Sequence, residues 1–193
     1  MNRLPQEFYV RDPLVVAREL LGKVLLAGSC AGRIVETEAY RSDDPASHSF
    51  RGETARNAVM FGDAGRLYVY FTYGMHYCAN VVTGSRGEGS AVLIRAVEPL
   101  RGVELMQSRR PAARRMVDLT NGPAKVCQAF GIDLAVNGVD LVASEQITVS
   151  DEVQSPVISL QSSARVGISR GRELPWRFFD ADSPYVGRTP RYD

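Results

Sequence analysis

The 193-residue chain is short of lysine, histidine, cysteine and long apolar runs, and each shortage closes off a class of explanation. Its three cysteines, Cys30, Cys78 and Cys127, form an odd set without paired CxxC spacing. Such a set suggests neither a disulfide framework nor a structural zinc site; burial as small hydrophobes is the ordinary fate of such thiols. The only histidines are His48 and His76, so no metal and no cofactor is expected. No apolar run approaches the length that spans a bilayer. The opening MNRLPQEFYV carries Arg3, Pro5 and Glu7 where a signal peptide needs an unbroken hydrophobic segment, so the chain reads as cytosolic.

Lysine is the scarcer cation: of 23 basic residues only Lys23 and Lys125 are lysines, and the rest are arginines. Arginine suits bidentate phosphate contacts and base stacking, although GC-rich coding would produce the same bias. The net charge of +1 says nothing by itself about a polyanionic partner. An apolar fraction of 45% with 23% charged residues is ordinary for a soluble globular domain. The length suits one domain over residues 1–193 that buries a core without staples.

Asp12-Pro13 is a good helix start, with Asp as N-cap and Pro at the first helical position; Gly22 ends that helix. A strand at 23–27 and the strand RIVETEAY at 33–40 follow, separated by a turn over 28–32. Residues 41–66 are polar and punctuated by Pro45, Gly52, Gly62 and Gly65, a loop length that is usually functional. LYVYFTYGMHYCANVV reads as a hairpin with its tip near Gly74. AVLIRAVEP is a strand ended by its proline, and a helix is expected over 100–109. Asn121-Gly122-Pro123 opens another helix to about Phe130, stopped by Gly131. Short strands are expected at 141–149 and 157–168, before an irregular tail. The expected class is α+β: one compact domain with a curved, largely antiparallel sheet, a protruding β-hairpin and surrounding helices.

Strand alternation in RIVETEAY places Ile34, Glu36, Glu38 and Tyr40 on one face. Two like charges there need a reason. Arg95 lies inside the apolar run AVLIRAV and must find a carboxylate, because desolvating an unpaired guanidinium is too costly. Glu36 or Glu38 is the evident partner. A buried ion pair without function and a reactive site both fit this pattern. Tyr68, Tyr70, Tyr73 and Tyr77 crowd the hairpin with Phe71, and Tyr40 ends the glutamate strand. Aromatic strand residues are often plain core. Several beside a carboxylate also make a flat slot suited to a planar, electron-poor or cationic heterocycle.

RIVETEAY, YVYFTYGMHYCANVV, AVLIRAVEP and NGPAKVCQAFGI together closely resemble the alkyladenine (3-methyladenine) DNA glycosylase family, in its bacterial form. The similarity runs from about Asp12 to Phe179. The resemblance implies that Glu38 is the general base activating a water, that Arg95 helps hold that water and the glutamate, and that the Val166 carbonyl is a further water contact. It also implies an extruded base sandwiched with Tyr40 and His48 on one side and Tyr70 on the other. Asn80 then faces the purine edge and disfavours the 2-amino group of guanine, and Tyr73 is the wedge that fills the gap left in the duplex. Met75, Thr54, Arg56 and Lys125 complete the implied DNA contacts, with the Arg109–Arg115 cluster a weaker phosphate candidate. The resemblance departs from the animal form in lacking a long N-terminal extension and in SFRGETARN, which is one residue shorter.

The implied partner is double-stranded DNA containing damaged purines, bound by a monomer that is cytoplasmic and nucleoid-associated, with no membrane contact. Because a bifunctional glycosylase needs an amine nucleophile, and only Lys23, Lys125 and the N-terminus could supply one, a monofunctional enzyme is expected. Two other readings remain open: a non-catalytic nucleic-acid-binding module, and an O-glycoside hydrolase using Glu36 and Glu38 as its carboxyl pair.

Overall fold

A computed structural model describes residues 2–72, 74–151 and 157–187. In chain order these form β1 (Asn2–Arg3), α1 (Gln6–Tyr9), α2 (Pro13–Glu19), β2 (Val24–Ala27), β3 (Cys30–Tyr40), β4 (Leu67–Thr72), β5 (His76–Thr83) and β6 (Ser90–Arg101). After them come α3 (Val103–Arg109), α4 (Pro123–Phe130), β7 (Ile147–Asp151), β8 (Leu160–Ser163) and β9 (Arg177–Asp180), with 3₁₀ turns at Ala58–Phe61, Met116–Leu119 and Leu134–Val136. Helix α2 starts as its sequence dictates: the Asp12 side chain accepts from the Leu14 N–H, at 2.8 Å. Gly22 turns the chain away at φ +82°, a left-handed conformation that glycine adopts without strain. Among the described residues no helix is long and apolar enough to cross a membrane.

The strands form one antiparallel sheet in the order β1-β7-β2-β3-β6-β5-β4, confirming the expected α+β class. Strand β3 is its spine. One edge pairs with β6 along nearly its whole length; the other pairs with β2 over Cys30–Arg33 and then with β9 over Glu36–Glu38. The two glutamates therefore have a strand on either side. One face of the sheet carries Ile34, Ala39, Val69, Ala79, Val81, Val92, Ile94 and Val97, which join the main apolar core with residues of α2 and α4. The other face carries Glu38, Tyr68, Tyr70, Asn80, Leu93 and Arg95, which border a cavity.

Several boundaries differ from expectation for local reasons. The glutamate strand begins at Cys30, because the turn before it needs only Gly28 and Ser29. Strand β6 continues past Pro99 to Arg101, since Pro99 sits at a register shift where no ladder donor is required. The following helix accordingly starts at Val103 rather than 100. The expected strands at 141–149 and 157–168 shrink to β7, shifted to Ile147–Asp151, and the four residues of β8. The tail expected to be irregular contributes β9.

The face assignment of Ile34 is also corrected. Register shifts flank Glu36 on β3, so Ile34 belongs to the apolar core while Glu36 turns to the opposite face. Thr37, on the core side, donates to the Ala17 carbonyl of α2 at 2.8 Å. A bulge of this kind lets a strand bury a hydrophobe and then re-aim the next polar side chain.

Candidate active site

The cavity has a volume of about 640 Å³, within the range of small-molecule sites. A single rung of side chains crosses its floor from strand to strand: Tyr68 opposite Asn80, Asn80 opposite Leu93, Leu93 opposite Glu38, and Glu38 opposite Arg177. Glu38, within this rung, is fully buried and borders the cavity. Its Oε1 accepts from the Val166 N–H at 2.7 Å and lies 3.3 Å from Arg95 Nη1. Its Oε2 accepts from the Tyr40 hydroxyl at 2.8 Å. A carboxylate offers about four acceptor positions, so Glu38 retains capacity for a water.

Glu36 is satisfied differently. Its Oε1 accepts from Arg95 Nε at 2.8 Å and from Arg177 Nε at 2.6 Å, and its Oε2 accepts from the Gly187 N–H at 2.7 Å. Burial pushes both carboxyls toward the neutral form. In Glu38 burial wins: the Arg95 charge and the Val166 and Tyr40 hydrogen bonds offset it only partly, and its pKa stands above the ordinary carboxylate value. In Glu36 burial is outweighed by two guanidiniums and the Gly187 N–H, and its pKa stands below. Two carboxylates pushed apart in this way divide naturally into a proton acceptor and a permanent anion. Glu36, unlike Glu38, does not border the cavity, and a carboxylate out of reach of a ligand there makes a poor acid or nucleophile, which counts against a paired-carboxylate glycosidase.

The aromatic walls come from three elements. Tyr40 ends β3, Tyr68 and Tyr70 lie on β4, and the 41–51 loop brings His48 and Phe50. The expected grouping of His48 with Tyr40 is corrected: the imidazole meets the Tyr70 ring edge-to-face with centroids 4.4 Å apart, and its Nδ1 lies 3.0 Å from the Tyr68 hydroxyl. The 41–51 loop lands on the β4 side of the cavity, where the imidazole meets Tyr68 and Tyr70. Burial, then the Arg56 charge, lowers the His48 pKa, which keeps the ring neutral at neutral pH. Burial pushes Tyr68 up to about 12, so its hydroxyl stays protonated beside that ring. Asn80 Nδ2 donates to the Tyr68 carbonyl at 3.2 Å, which fixes the side-chain amide at the cavity edge.

Sequence reasoning missed Arg165, although it stands in the same ARVG motif as Val166. Its guanidinium makes a bidentate pair with Asp44, donates to the Ala39 carbonyl at 3.0 Å, and lies over the rings of Tyr40 and Trp176. Both Arg165 and Asp44 are fully buried. One residue thus ties the 41–51 loop to the end of β3 and sets the neighbouring Val166 N–H on Glu38. Removing one partner of a buried pair costs about 3–5 kcal/mol. Asp44→Ala should therefore lower the urea midpoint by that equivalent, and an unchanged midpoint would show that the pair does not hold the loop.

The other expected DNA contacts lie away from the floor. Met75 is 70% exposed near the hairpin tip, where Gly74 has φ +69°. Tyr73 lies outside the described residues. Thr54 bonds to Asn57 within its own loop, and Arg56 Nη2 donates to the Phe71 carbonyl at 2.9 Å. Lys125 is in the first turn of α4 with Nζ 2.6 Å from Asn121 Oδ1, and Pro123 of the same turn borders the cavity. Most of the Arg109–Arg115 cluster is committed internally: Arg109 to the Ala129 carbonyl, Arg110 to Gln128, and Arg115 to Asp118.

A protein of Carboxydothermus hydrogenoformans is 44% identical over 189 residues, covering 96% of this chain and 98% of its own. One of Burkholderia orbicola is 50% identical over 192 residues, covering 97% and 93%, and one of Methanoculleus marisnigri is 47% identical over 191 residues, covering 96% and 98%. All three carry the provisional name 3-methyladenine DNA glycosylase. The family profile described as methylpurine-DNA glycosylase matches residues 7–184, a span that includes all the residues of the cavity floor, and the chain belongs to that family.

Proposed function

We propose that this protein is a monofunctional DNA glycosylase of base excision repair that removes alkylated or deaminated purines, of the 3-methyladenine, 7-methylguanine and hypoxanthine type, from duplex DNA. The observation that carries this reading is a buried carboxylate with spare acceptor capacity and a raised pKa at the floor of an aromatic cavity. Chemistry on a base inside a duplex requires extrusion of the nucleotide. The extruded base enters between Tyr40 and the Tyr70–His48 wall, with its edge toward Asn80. Stacking contributes about 1–3 kcal/mol per base, so Tyr70→Ala should weaken binding of a lesion duplex by roughly 5- to 150-fold, as measured by fluorescence anisotropy. Binding unchanged by that substitution would remove Tyr70 from the pocket.

In the chemical step a water held by Glu38 and Arg95 attacks C1′. Glu38 takes the water's proton, the C1′–N bond breaks, and its electron pair leaves with the base. A cationic alkylpurine departs neutral and needs no acid; hypoxanthine needs protonation as well. The product is an abasic site with an intact backbone. Neither lysine borders the cavity: Lys23 pairs with Asp151 and Lys125 bonds to Asn121. That arrangement supports hydrolysis over Schiff-base chemistry. Tyr73 acts as the wedge, and Tyr73→Ser should weaken lesion binding while leaving Glu38 chemistry intact. The protein acts as a monomer, with Lys125, Arg56, Thr54 and Met75 along the DNA path.

The test is incubation with an oligonucleotide bearing one hypoxanthine or alkylated purine, followed by alkali. Strand cleavage that depends on alkali and vanishes in Glu38→Gln is the expected result. No cleavage with any purine lesion overturns the proposal, and cleavage without alkali overturns its monofunctional part. Binding to lesion DNA without release of free base would favour a non-catalytic module.

A further inference from the structure

The chain's last described segment reaches the carboxylate next to this site. The Gly187 N–H donates to Glu36 Oε2 at 2.7 Å, and the Gly187 carbonyl accepts from Arg177 Nη2 at 2.9 Å. Arg177, fully buried on β9, places its Nε on the same Glu36 oxygen that Arg95 uses. The fit is close. A Cβ on residue 187 would lie 3.1 Å from Glu36 Oε2 and 3.5 Å from the Asn121 carbonyl oxygen, so a side chain there crowds the carboxylate.

Arg95 is shared between the two glutamates, through Nε to Glu36 and Nη1 toward Glu38. Whatever else satisfies Glu36 therefore decides how far Arg95 is drawn from Glu38. We infer that Gly187 and Arg177 are positioning residues: by satisfying Glu36 from the far side, they leave the Nη1 end of Arg95 for Glu38 and for the water beside it. The inference rests on the proposed role of Glu38 and extends it to the C-terminal segment. When that support is weakened, Arg95 shifts toward Glu36, its contact with Glu38 lengthens, and burial of Glu38 is less well offset. The Glu38 carboxyl then holds its proton to higher pH. The other groups facing Glu38 are Tyr40 on its own strand, Tyr70 on β4 and Cys78 on β5. A phenol or a thiol is neutral or anionic, never cationic, and burial holds all three neutral, so none changes the charge beside Glu38.

The experiment is a titration of the Glu38 carboxyl by carbon-13 NMR in the full chain, in the parent, in Gly187→Ala and in Arg177→Lys, with Glu38→Gln assigning the signal. Gly187→Ala keeps every charge and is the variant expected to fold if Arg177→Lys does not. The expected result is a Glu38 midpoint displaced upward by about half a unit to one unit, equivalent to a roughly 3- to 10-fold loss of ionised Glu38 at pH values below it. An unmoved midpoint in folded Gly187→Ala overturns the inference, because a merely structural glycine would change melting temperature alone. A base-release profile on a lesion oligonucleotide distinguishes failure of the inference from failure of the proposed function. A variant whose rate falls at acid pH and recovers at alkaline pH supports the positioning role. A parent with a titrating Glu38 but no base release defeats the proposed function, while the displaced midpoint still supports the positioning of Arg95.

Discussion

Glu38→Gln is expected to abolish base release and, at neutral pH, to make the protein more stable. The loss of activity follows from removing the group proposed to take the water's proton; positioned acid–base groups contribute roughly 10²–10⁴-fold. The gain in stability follows from its raised pKa, because an ionised Glu38 is less favourable in the folded protein than in the unfolded chain. The sign is fixed by that direction. Below the ordinary carboxylate value of 4.5, Glu38 is protonated in both states and glutamine resembles it closely. As pH rises, the unfolded chain releases its proton first, and the parent loses stability until the folded carboxyl also ionises. Glutamine escapes this loss and still offers an oxygen to Val166 and Arg95. The melting temperature of Glu38→Gln relative to parent should therefore climb between pH 4 and pH 8, each kcal/mol recovered appearing as roughly 2–4 °C for a chain of this size. A difference independent of pH, or of opposite sign, would show that the ionised carboxylate is not strained by its site. Such trade-offs between activity and stability are usual where a site keeps a group in an unfavourable state.

Two residues earlier the sign reverses. Glu36→Gln should destabilise the protein by about 3–5 kcal/mol, since it leaves the buried Arg177 and Arg95 charges without their shared carboxylate. Because the Glu36 pKa is lowered, its contribution is fully present above the ordinary value of 4.5 and is lost as pH falls through the folded pKa. The gap in unfolding free energy between parent and variant should thus be widest near neutrality and close in acid, the opposite trend to Glu38→Gln. Denaturant melts at pH 7 and pH 4 measure it, and a Glu36→Gln protein as stable as the parent at pH 7 would refute the shared-anion role. Base release normalised to the folded fraction should fall far less than in Glu38→Gln; an equal loss in both variants would revive the paired-carboxylate glycosidase.

That contrast also shows what could be read without coordinates. Alternation is a local property, so the pairing of Glu36, Glu38 and Tyr40 on one face, the hairpin aromatics, and the need of Arg95 for a carboxylate were all legible. Helix starts were legible too, because Asp12-Pro13 and Gly122-Pro123 act on their immediate neighbours. The side taken by Ile34 was not, since the register shifts around Glu36 exist only in the pairing with β6. Strand β9 was invisible because RFFD is too short to show a period; its partners on β3 lie some 140 residues back in the chain.

Residue order alone establishes the chemical inventory: a strand bearing two carboxylates, one buried arginine, a set of tyrosines, and too few lysines for amine chemistry. Which carboxylate is which depends on the folded chain. Arg177 and Gly187 approach Glu36 from β9 and the segment beyond it, while Val166 and Tyr40 hold Glu38 at the cavity edge. The same long-range packing placed His48 against Tyr70 and put Arg165 behind Tyr40. The proton affinity of a buried carboxylate depends on which cations and donors the fold brings within a few ångströms of it, and those groups come from parts of the chain that local patterns do not connect.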